Sequence, residues 1–260
     1  MKIAIIGAGM VGSQSAFLLA YENIGDEIVL TDIDANRAKA EALDIAQSLV
    51  LCGNVKVLGG HIEDIKESDI VVITAGAKQK VGEKRSELLV RNQMIMEDIA
   101  EKIKNYAPNA VVLVATNPMD EMTEVVKNKL LGTNLVLGTG TEIDSYRFRY
   151  YLGEFLRVEP AFIFANVIGF HNEFAKFLWD DVYVGSLKLA DFLQKNNIIL
   201  DDEAKTLIEQ KVINSAFEII KGKGATYFAI AVVIKEFVFS LARRRGVEGM
   251  EWSGGVEGSV

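Results

Sequence analysis

Cysteine is almost missing from this sequence. Cys52 is the single one in 260 residues, so no disulfide can form within one chain. A reducing compartment, the cytoplasm, is the expected setting. Cys52 follows the apolar stretch Ser48-Leu49-Val50-Leu51 with no base beside it, and reads as a filler rather than a nucleophile. Basic charge is also in deficit, with 28 Lys and Arg against 36 Asp and Glu and a formal net charge of -8. That balance argues against a nucleic-acid partner, which requires a concentrated cation surface. The one basic run, Arg243-Arg244-Arg245, is short and reads as solvated. Long apolar runs are absent too; none approaches the roughly 20 residues of a membrane span. The apolar start Ile3 to Ile6 is broken at once by Gly7 and Gly9, and no small-residue cleavage site follows, so no secretory leader is expected. No metal site is read from the sequence.

What the chain has is hydrophobic residues, 50% of the total, enough to build one large core or two modest ones. In the first 140 residues they fall into short β-branched runs at Ile3 to Ile6, Glu27 to Leu30, Val55 to Leu58, Ile70 to Ile73, Val111 to Val114 and Leu135 to Leu137. Between these lie helical patterns at Met10 to Tyr21, Ala35 to Val50, Arg85 to Asn105 and Glu121 to Lys129. The alternation predicts an α/β fold with a parallel sheet covered on both faces. A boundary is expected near Gly138 to Thr141. Beyond it come long helices, Ile143 to Leu156 and Asp201 to Lys221, with a strand over Ala161 to Ile168 between them. The expected layout is a nucleotide-binding domain over 1–140, an α+β domain over 141–242 and a tail over 243–260. Glycines at 246, 249, 254, 255 and 258 crowd that tail, which cannot build a packed element and is expected to be disordered.

Gly7-Ala8-Gly9-Met10-Val11-Gly12 stands between a strand and a helix. That context turns a weak glycine pattern into a dinucleotide-binding signature. Gly7 permits the tight turn, Gly9 lets the pyrophosphate approach the backbone, and Gly12 lets helix and strand pack closely. The phosphates meet the helix N-terminus, where the N–H groups of Met10 and Val11 and the dipole favour negative charge. Asp32 ends the second strand, placed to accept from the adenine ribose hydroxyls and to repel the extra phosphate of NADP. The first third therefore reads as a Rossmann-type, doubly wound unit that binds NAD.

Three further segments carry polar residues where such a fold seldom spends them. Thr74-Ala75-Gly76-Ala77-Lys78-Gln79 and on to Arg85 follows one strand, and Ala115-Thr116-Asn117-Pro118 follows another. Ligands in open parallel sheets bind at strand C-termini, so both loops are expected at the cofactor. The third segment is Ile143-Asp144-Ser145-Tyr146-Arg147, followed later by Gly169-Phe170-His171. Together with Lys223-Gly224-Ala225-Thr226-Tyr227, these ordered motifs resemble the L-lactate/L-malate dehydrogenase family over roughly residues 1 to 240.

The resemblance implies a catalytic α+β domain after the Rossmann unit, a homo-oligomer (dimer or tetramer) and a small 2-oxo or 2-hydroxy acid substrate. His171 would supply the proton, since imidazole titrates near working pH. Asp144 would orient and stabilise it. Arg147, three residues from Asp144, would share its helix face and grip the substrate carboxylate with a planar fork. Arg85 resembles the loop arginine that polarises the carbonyl, and Asn117 would orient the substrate or the nicotinamide. Gln79 stands where malate-type members carry an arginine. A neutral side chain there would leave a second carboxylate unpaired, so the resemblance implies a monocarboxylate such as pyruvate, with Thr226 compatible.

The sequence also departs from the family. Members usually run Gly-Glu-His-Gly-Asp-Ser, whereas this chain has Gly169-Phe170-His171-Asn172-Glu173-Phe174. Either the pocket is reshaped for a larger apolar acid or the histidine sits differently. Arg149 matches the arginine of an allosteric site, but Phe164 stands where its histidine would be. The resemblance fades near Phe237, as a shifted or truncated reading of a longer gene would. The leading expectation is an NAD-dependent L-2-hydroxy acid dehydrogenase acting on lactate and pyruvate. Malate or a branched 2-hydroxy acid is the alternative substrate, and a non-catalytic NAD-binding paralogue the alternative class. His61, without such company, is expected at a strand edge.

Overall fold

The computed structural model describes residues 1–77, 85–172 and 174–245. These divide into two compact bodies. In the first, β1 (Lys2–Ile6), β2 (Glu27–Thr31), β3 (Lys56–Gly60), β4 (Ile70–Ile73), β5 (Val111–Val114) and β6 (Val136–Gly138) form one sheet. Its order is β3-β2-β1-β4-β5-β6, and every neighbouring pair is parallel. The winding reverses between β1 and β4, so their C-terminal ends mark the crevice where a ligand binds in such sheets.

Successive side chains of a strand point to opposite faces, and β1 shows the result. Ile3 and Ile5 enter one fully buried core with Leu19, Ile28 and Leu30. Ala4 and Ile6 enter another with Val71, Ile73, Met96 and Ile103. The first core is closed by α1 (Met10–Tyr21) and α2 (Ala35–Ser48), the second by α3 (Arg85–Tyr106) and α4 (Met119–Lys129). Strands buried on both faces must be apolar throughout, which is why their runs were continuous in the sequence.

The second body spans Gly140 to Thr226 and is built on α5 (Glu142–Leu156), α6 (Leu189–Asn196) and α7 (Asp202–Lys223). Phe148 sits at its centre, fully buried, with the rings of Phe177 and Trp179 edge-on at 5.2 and 4.6 Å. Asp201 caps α7 by accepting from the Ala204 amide, and Gly224, at φ +83°, ends it.

One expectation is corrected here. The strand expected over Ala161 to Ile168 is broken into a 3₁₀ turn at Pro160–Phe162 and two short strands, β7 (Ile163–Phe164) and β8 (Val167–Ile168), which belong to different sheets. Side chains of α5 and the residue before it take up the backbone groups at the break. Arg149 Nε donates to the Ala165 carbonyl at 2.9 Å, the Val167 amide donates to Ser145 Oγ at 2.9 Å, and Thr141 Oγ1 donates to the Val167 carbonyl. These bonds engage backbone groups at the break that a continuous ladder would otherwise use. Helix α8 (Phe228–Arg245) follows the second body in the chain. It belongs to the first body, where Ile234 and Val238 are fully buried in the core beside α1. On the same helix Lys235 bridges Glu22 at the end of α1 and its neighbour Glu236, at 3.1 and 2.5 Å. The glycine-rich tail beyond residue 245 lies outside the described residues.

Candidate active site

The glycine loop joins β1 to α1, and each glycine has its own reason. A Cβ on Gly7, which sits at φ +109°, would stand 2.6 Å from the Ala75 amide nitrogen. One on Gly12 would stand 1.9 Å from the Gly7 carbonyl oxygen and 2.8 Å from Thr74 Oγ1. These two are needed for packing. Gly9 differs: its outward side is open, with only Arg37 Nη2 at 4.0 Å. Helix α1 begins at Met10, so the amides of Met10, Val11 and Gly12 fall in the turn that lacks intrahelical acceptors. A phosphate group fits this cradle by shape and by charge.

Asp32 follows β2 and binds the loop directly. Its Oδ2 accepts from the Ala8 amide at 2.8 Å and its Oδ1 from the Asp34 amide at 3.1 Å. Asp34 is the residue that caps α2, accepting from the amides of Asn36 and Arg37. The capping role thus falls on Asp34, and Asp32 is left at the strand end, where a ribose hydroxyl can reach its remaining lone pairs. Residues present here fit a dinucleotide.

On the other side of the winding reversal, Thr74 Oγ1 donates to the Gly7 carbonyl at 2.9 Å, tying β4 to the loop. Thr116 Oγ1 donates to the Ala75 carbonyl at 2.7 Å, and Gly76 packs so close to Thr116 that a Cβ would stand 2.5 Å from its methyl. The sequence reading missed the residue that joins these loops. Asn92 on α3 is 1% exposed; its Oδ1 accepts from the Ala77 amide and its Nδ2 donates to the Asn117 carbonyl, both at 2.8 Å. A single asparagine in a polar helix stretch gives no signal in the sequence. Asn117 is exposed and followed by a cis peptide bond to Pro118. Gln79 lies outside the described residues, and of Arg85 only its place at the start of α3 is described.

The second body holds the other group. Asp144 and Arg147 sit one turn apart on α5, and His171 follows β8. His171 Nδ1 and Asp144 Oδ2 are hydrogen-bonded at 2.6 Å, and Arg147 Nη1 donates to Asp144 Oδ1 at 3.1 Å. The three side chains are 27, 8 and 11% exposed for His171, Asp144 and Arg147. A buried carboxylate must be paired, and here it is paired on both oxygens. With Asp144 ionised, the proton of a neutral imidazole is held on Nδ1.

The unusual histidine loop has a local explanation. Gly169, at φ +92°, makes the turn, the Asn172 amide donates to the Phe170 carbonyl, and Asn172 Oδ1 accepts from the Phe174 amide, both at 2.8 Å. Asn172 therefore closes the turn with its own side chain. Phe170 and Phe174 are exposed, at 41 and 73%. Thr226 is half-buried just past α7. Arg149, besides Ala165, donates to Asn166 Oδ1 at 2.8 Å and lies over the rings of Tyr146 and Phe164 at 5.5 and 5.7 Å. His61 stands just beyond β3 as the cap of the short turn Ile62–Ile65, its amide donating to Asp64 Oδ2.

Residues 1–134 match the model of the lactate/malate dehydrogenase NAD-binding domain, and residues 141–256 match that family's α/β C-terminal domain. Among curated relatives, the L-lactate dehydrogenase of Chloroherpeton thalassium is 38% identical over 244 residues, 94% of this chain and 80% of the relative. That of Fervidobacterium nodosum is 40% identical over 250 residues, with the same coverage of 94% and 80%. Among solved structures, a lactate dehydrogenase from a Medee basin deep-sea metagenome library aligns with a TM-score of 0.86 at 31% identity, covering 93% of this chain and 77% of its own. The malate dehydrogenase of Plasmodium falciparum aligns equally well, with a TM-score of 0.87 at 32% identity over 94% of this chain and 78% of its own. The chain belongs to the lactate/malate dehydrogenase family and carries that family's NAD-binding domain.

Proposed function

We propose that this protein is an NAD-dependent L-2-hydroxy acid dehydrogenase that interconverts pyruvate and L-lactate. The observation that carries the reading is the carboxylate of Asp144 held between His171 and Arg147. When bound, the reduced nicotinamide supplies the hydride that reaches the carbonyl carbon. His171 donates a proton from Nε2 to the oxygen as negative charge develops there. Asp144 keeps the ring in one orientation and stabilises the imidazolium that precedes the transfer. Arg147 uses one Nη1–H for Asp144; its remaining donors are proposed to take the substrate carboxylate. Asn117 is proposed to orient the substrate oxygen or the nicotinamide, and Arg85 to polarise the carbonyl. Thr74 to Gly76 and the loop Gly7 to Gly12 are proposed to line the cofactor, with Asp32 on the adenine ribose. Thr226 is proposed at the substrate.

The fold alone does not choose the acid, because lactate and malate dehydrogenases align equally well. Gln79 makes the choice: a second substrate carboxylate opposite a neutral amide would be desolvated without a partner. Following NADH absorbance with pyruvate, oxaloacetate and a branched 2-oxo acid in parallel tests this. Pyruvate is expected to turn over well above oxaloacetate, whereas preference for oxaloacetate overturns the role given to Gln79. The exposed rings of Phe170 and Phe174 beside His171 favour a second reading, a bulkier apolar 2-oxo acid. NADH binding without turnover of any acid would leave a non-catalytic NAD-binding protein. We further propose a cytoplasmic homo-oligomer. Its assembly is supported by the outward apolar residues Ile213, Phe217 and Ile220 of α7, which are 48, 66 and 48% exposed.

A further inference from the structure

Asp144 lies on α5 and His171 follows β8, so their 2.6 Å hydrogen bond depends on the register between helix and strand. A two-residue strand does not secure that register alone. β8 pairs along one edge with β9 (Lys176–Phe177), in a sheet of two strands. Backbone groups of successive strand residues point to opposite edges. The Asn166 carbonyl accepts from the Leu178 amide on the β9 side, so the amide and carbonyl of Val167 turn toward α5. The helix meets them with two hydroxyls. Thr141 stands at the N-cap of α5, yet its side chain does not cap the helix; Oγ1 donates instead to the Val167 carbonyl at 2.5 Å. Ser145 Oγ accepts from the Val167 amide at 2.9 Å and donates to the Thr141 carbonyl at 3.1 Å, which closes the ring. Thr141, Val167 and Ser145 are all buried, so water does not compete for these groups. Ser145 follows Asp144 directly, and adjacent helix residues project about 100° apart. One side chain is thereby bound to the strand and the next to the histidine four residues past Val167.

We infer that Ser145 and Thr141 are positioning residues, whose hydroxyls hold the Val167 backbone on α5 and so set the contact of His171 with Asp144. The inference rests on the catalytic role proposed for that pair. Both residues act through the histidine, not on the reacting atoms. A hydroxyl suits the task because it can donate and accept at once. A misplacement of about 1 Å in a positioned group can cost about 10²-fold in rate. The same shift deprives the imidazolium of its carboxylate.

The test is steady-state reduction of pyruvate by the intact protein, across pH, in Ser145→Ala, Thr141→Val, Thr141→Ser and Leu152→Ala. Thr141→Val keeps the volume and drops the hydroxyl, while Thr141→Ser keeps the hydroxyl. Leu152, fully buried in the apolar core on the same helix, is the control for plain destabilisation. Ser145→Ala and Thr141→Val are expected to lower kcat by about 10- to 100-fold, with NADH affinity unchanged. The alkaline limb of their pyruvate profiles should move to lower pH, since an imidazolium without its carboxylate releases its proton more readily. Arg147, the other charge on Asp144, is left in place by every variant. Thr141→Ser should recover most of the turnover. Leu152→Ala should melt at a lower temperature but keep kcat and the position of the limb, when assayed below its melting range. Unchanged kcat and limb in both hydroxyl-deleting variants overturn the inference. An equal loss in Leu152→Ala overturns it too, because the two hydroxyls would then be ordinary packing. If Ser145→Ala fails to fold, the two Thr141 variants decide. An unmodified protein that binds NADH but reduces no 2-oxo acid defeats the dehydrogenase reading and this inference with it, and shows that before any variant is made.

Discussion

His171→Asn removes the imidazole but keeps a hydrogen-bonding amide beside Asp144. Turnover of pyruvate is expected to fall by about 10²–10⁴-fold, the usual worth of a general acid, with NADH affinity unchanged. Retained turnover would refute the acid role. Asn92→Ala acts through a different physics. It leaves the Ala77 amide and the Asn117 carbonyl without their buried partner, a loss of about 1–3 kcal/mol per unsatisfied group. Chemical denaturation should read that loss, and the affinity for NADH should fall with it because both strand-end loops are released. Of these residues, His171 and Asp144 were legible because distant polar motifs had no other reason to be in an α/β pattern, and they meet at 2.6 Å. Asn92 was not legible, since its importance lies in two backbone partners that no local pattern announces.

Elements were readable in proportion to how strongly burial constrained them. The six strands of the main sheet stand within a residue or two of where their apolar runs place them, because strands covered on both faces tolerate few polar residues. The segment Ala161 to Ile168 misled because β-branched and aromatic residues fit a strand equally well when side chains of α5 have claimed its backbone. The packing of helix α8 beside α1 could not be read ahead, since an apolar stripe says that a helix packs, not upon what. Ile234→Ala should destabilise the protein by about 2–5 kcal/mol, measurable by denaturant titration, as for a fully buried isoleucine in a well-packed core. Lys235 on the same helix offers a pH-dependent counterpart. Burial tends to lower its pKa, but hydrogen bonds to Glu236 and Glu22, aided by their charges, raise it above the ordinary lysine value. A raised folded pKa means that the stabilisation is complete below the unfolded value near 10.5 and is lost as pH climbs through the folded one. The stability gap between the unmodified protein and Lys235→Met should therefore be flat from pH 7 to about 9.5 and close at more alkaline pH, as denaturation curves across that range would show. A gap that widened with alkali would contradict the pairing.

For the molecule as a whole, the two bodies carry separate chemistry: the phosphate cradle and Asp32 in the first, the His171–Asp144–Arg147 group in the second. Ligand protection should respect that division. Saturating NADH at about 100 times its dissociation constant adds roughly 2.7 kcal/mol to whatever unfolds with the cofactor site. Amide exchange is expected to slow in the glycine loop, the start of α1 and the end of β2, and to be unchanged around Phe148. Protection centred on α7 instead would place the dinucleotide elsewhere. The class of fold was legible from the alternation of elements, while the acid on which the enzyme acts rests on one glutamine.

Helix α8 carries a consequence for how the protein comes into being. A ribosome delivers β1, α1 and the rest of the sheet long before it delivers residue 228, with the whole second body made in between. Until then the groove beside α1 that Ile234 and Val238 will fill is bare. The nascent sheet must wait in that state, incomplete, for as long as about ninety further residues take to be translated, which at about 5–20 residues per second is roughly 5 to 18 seconds.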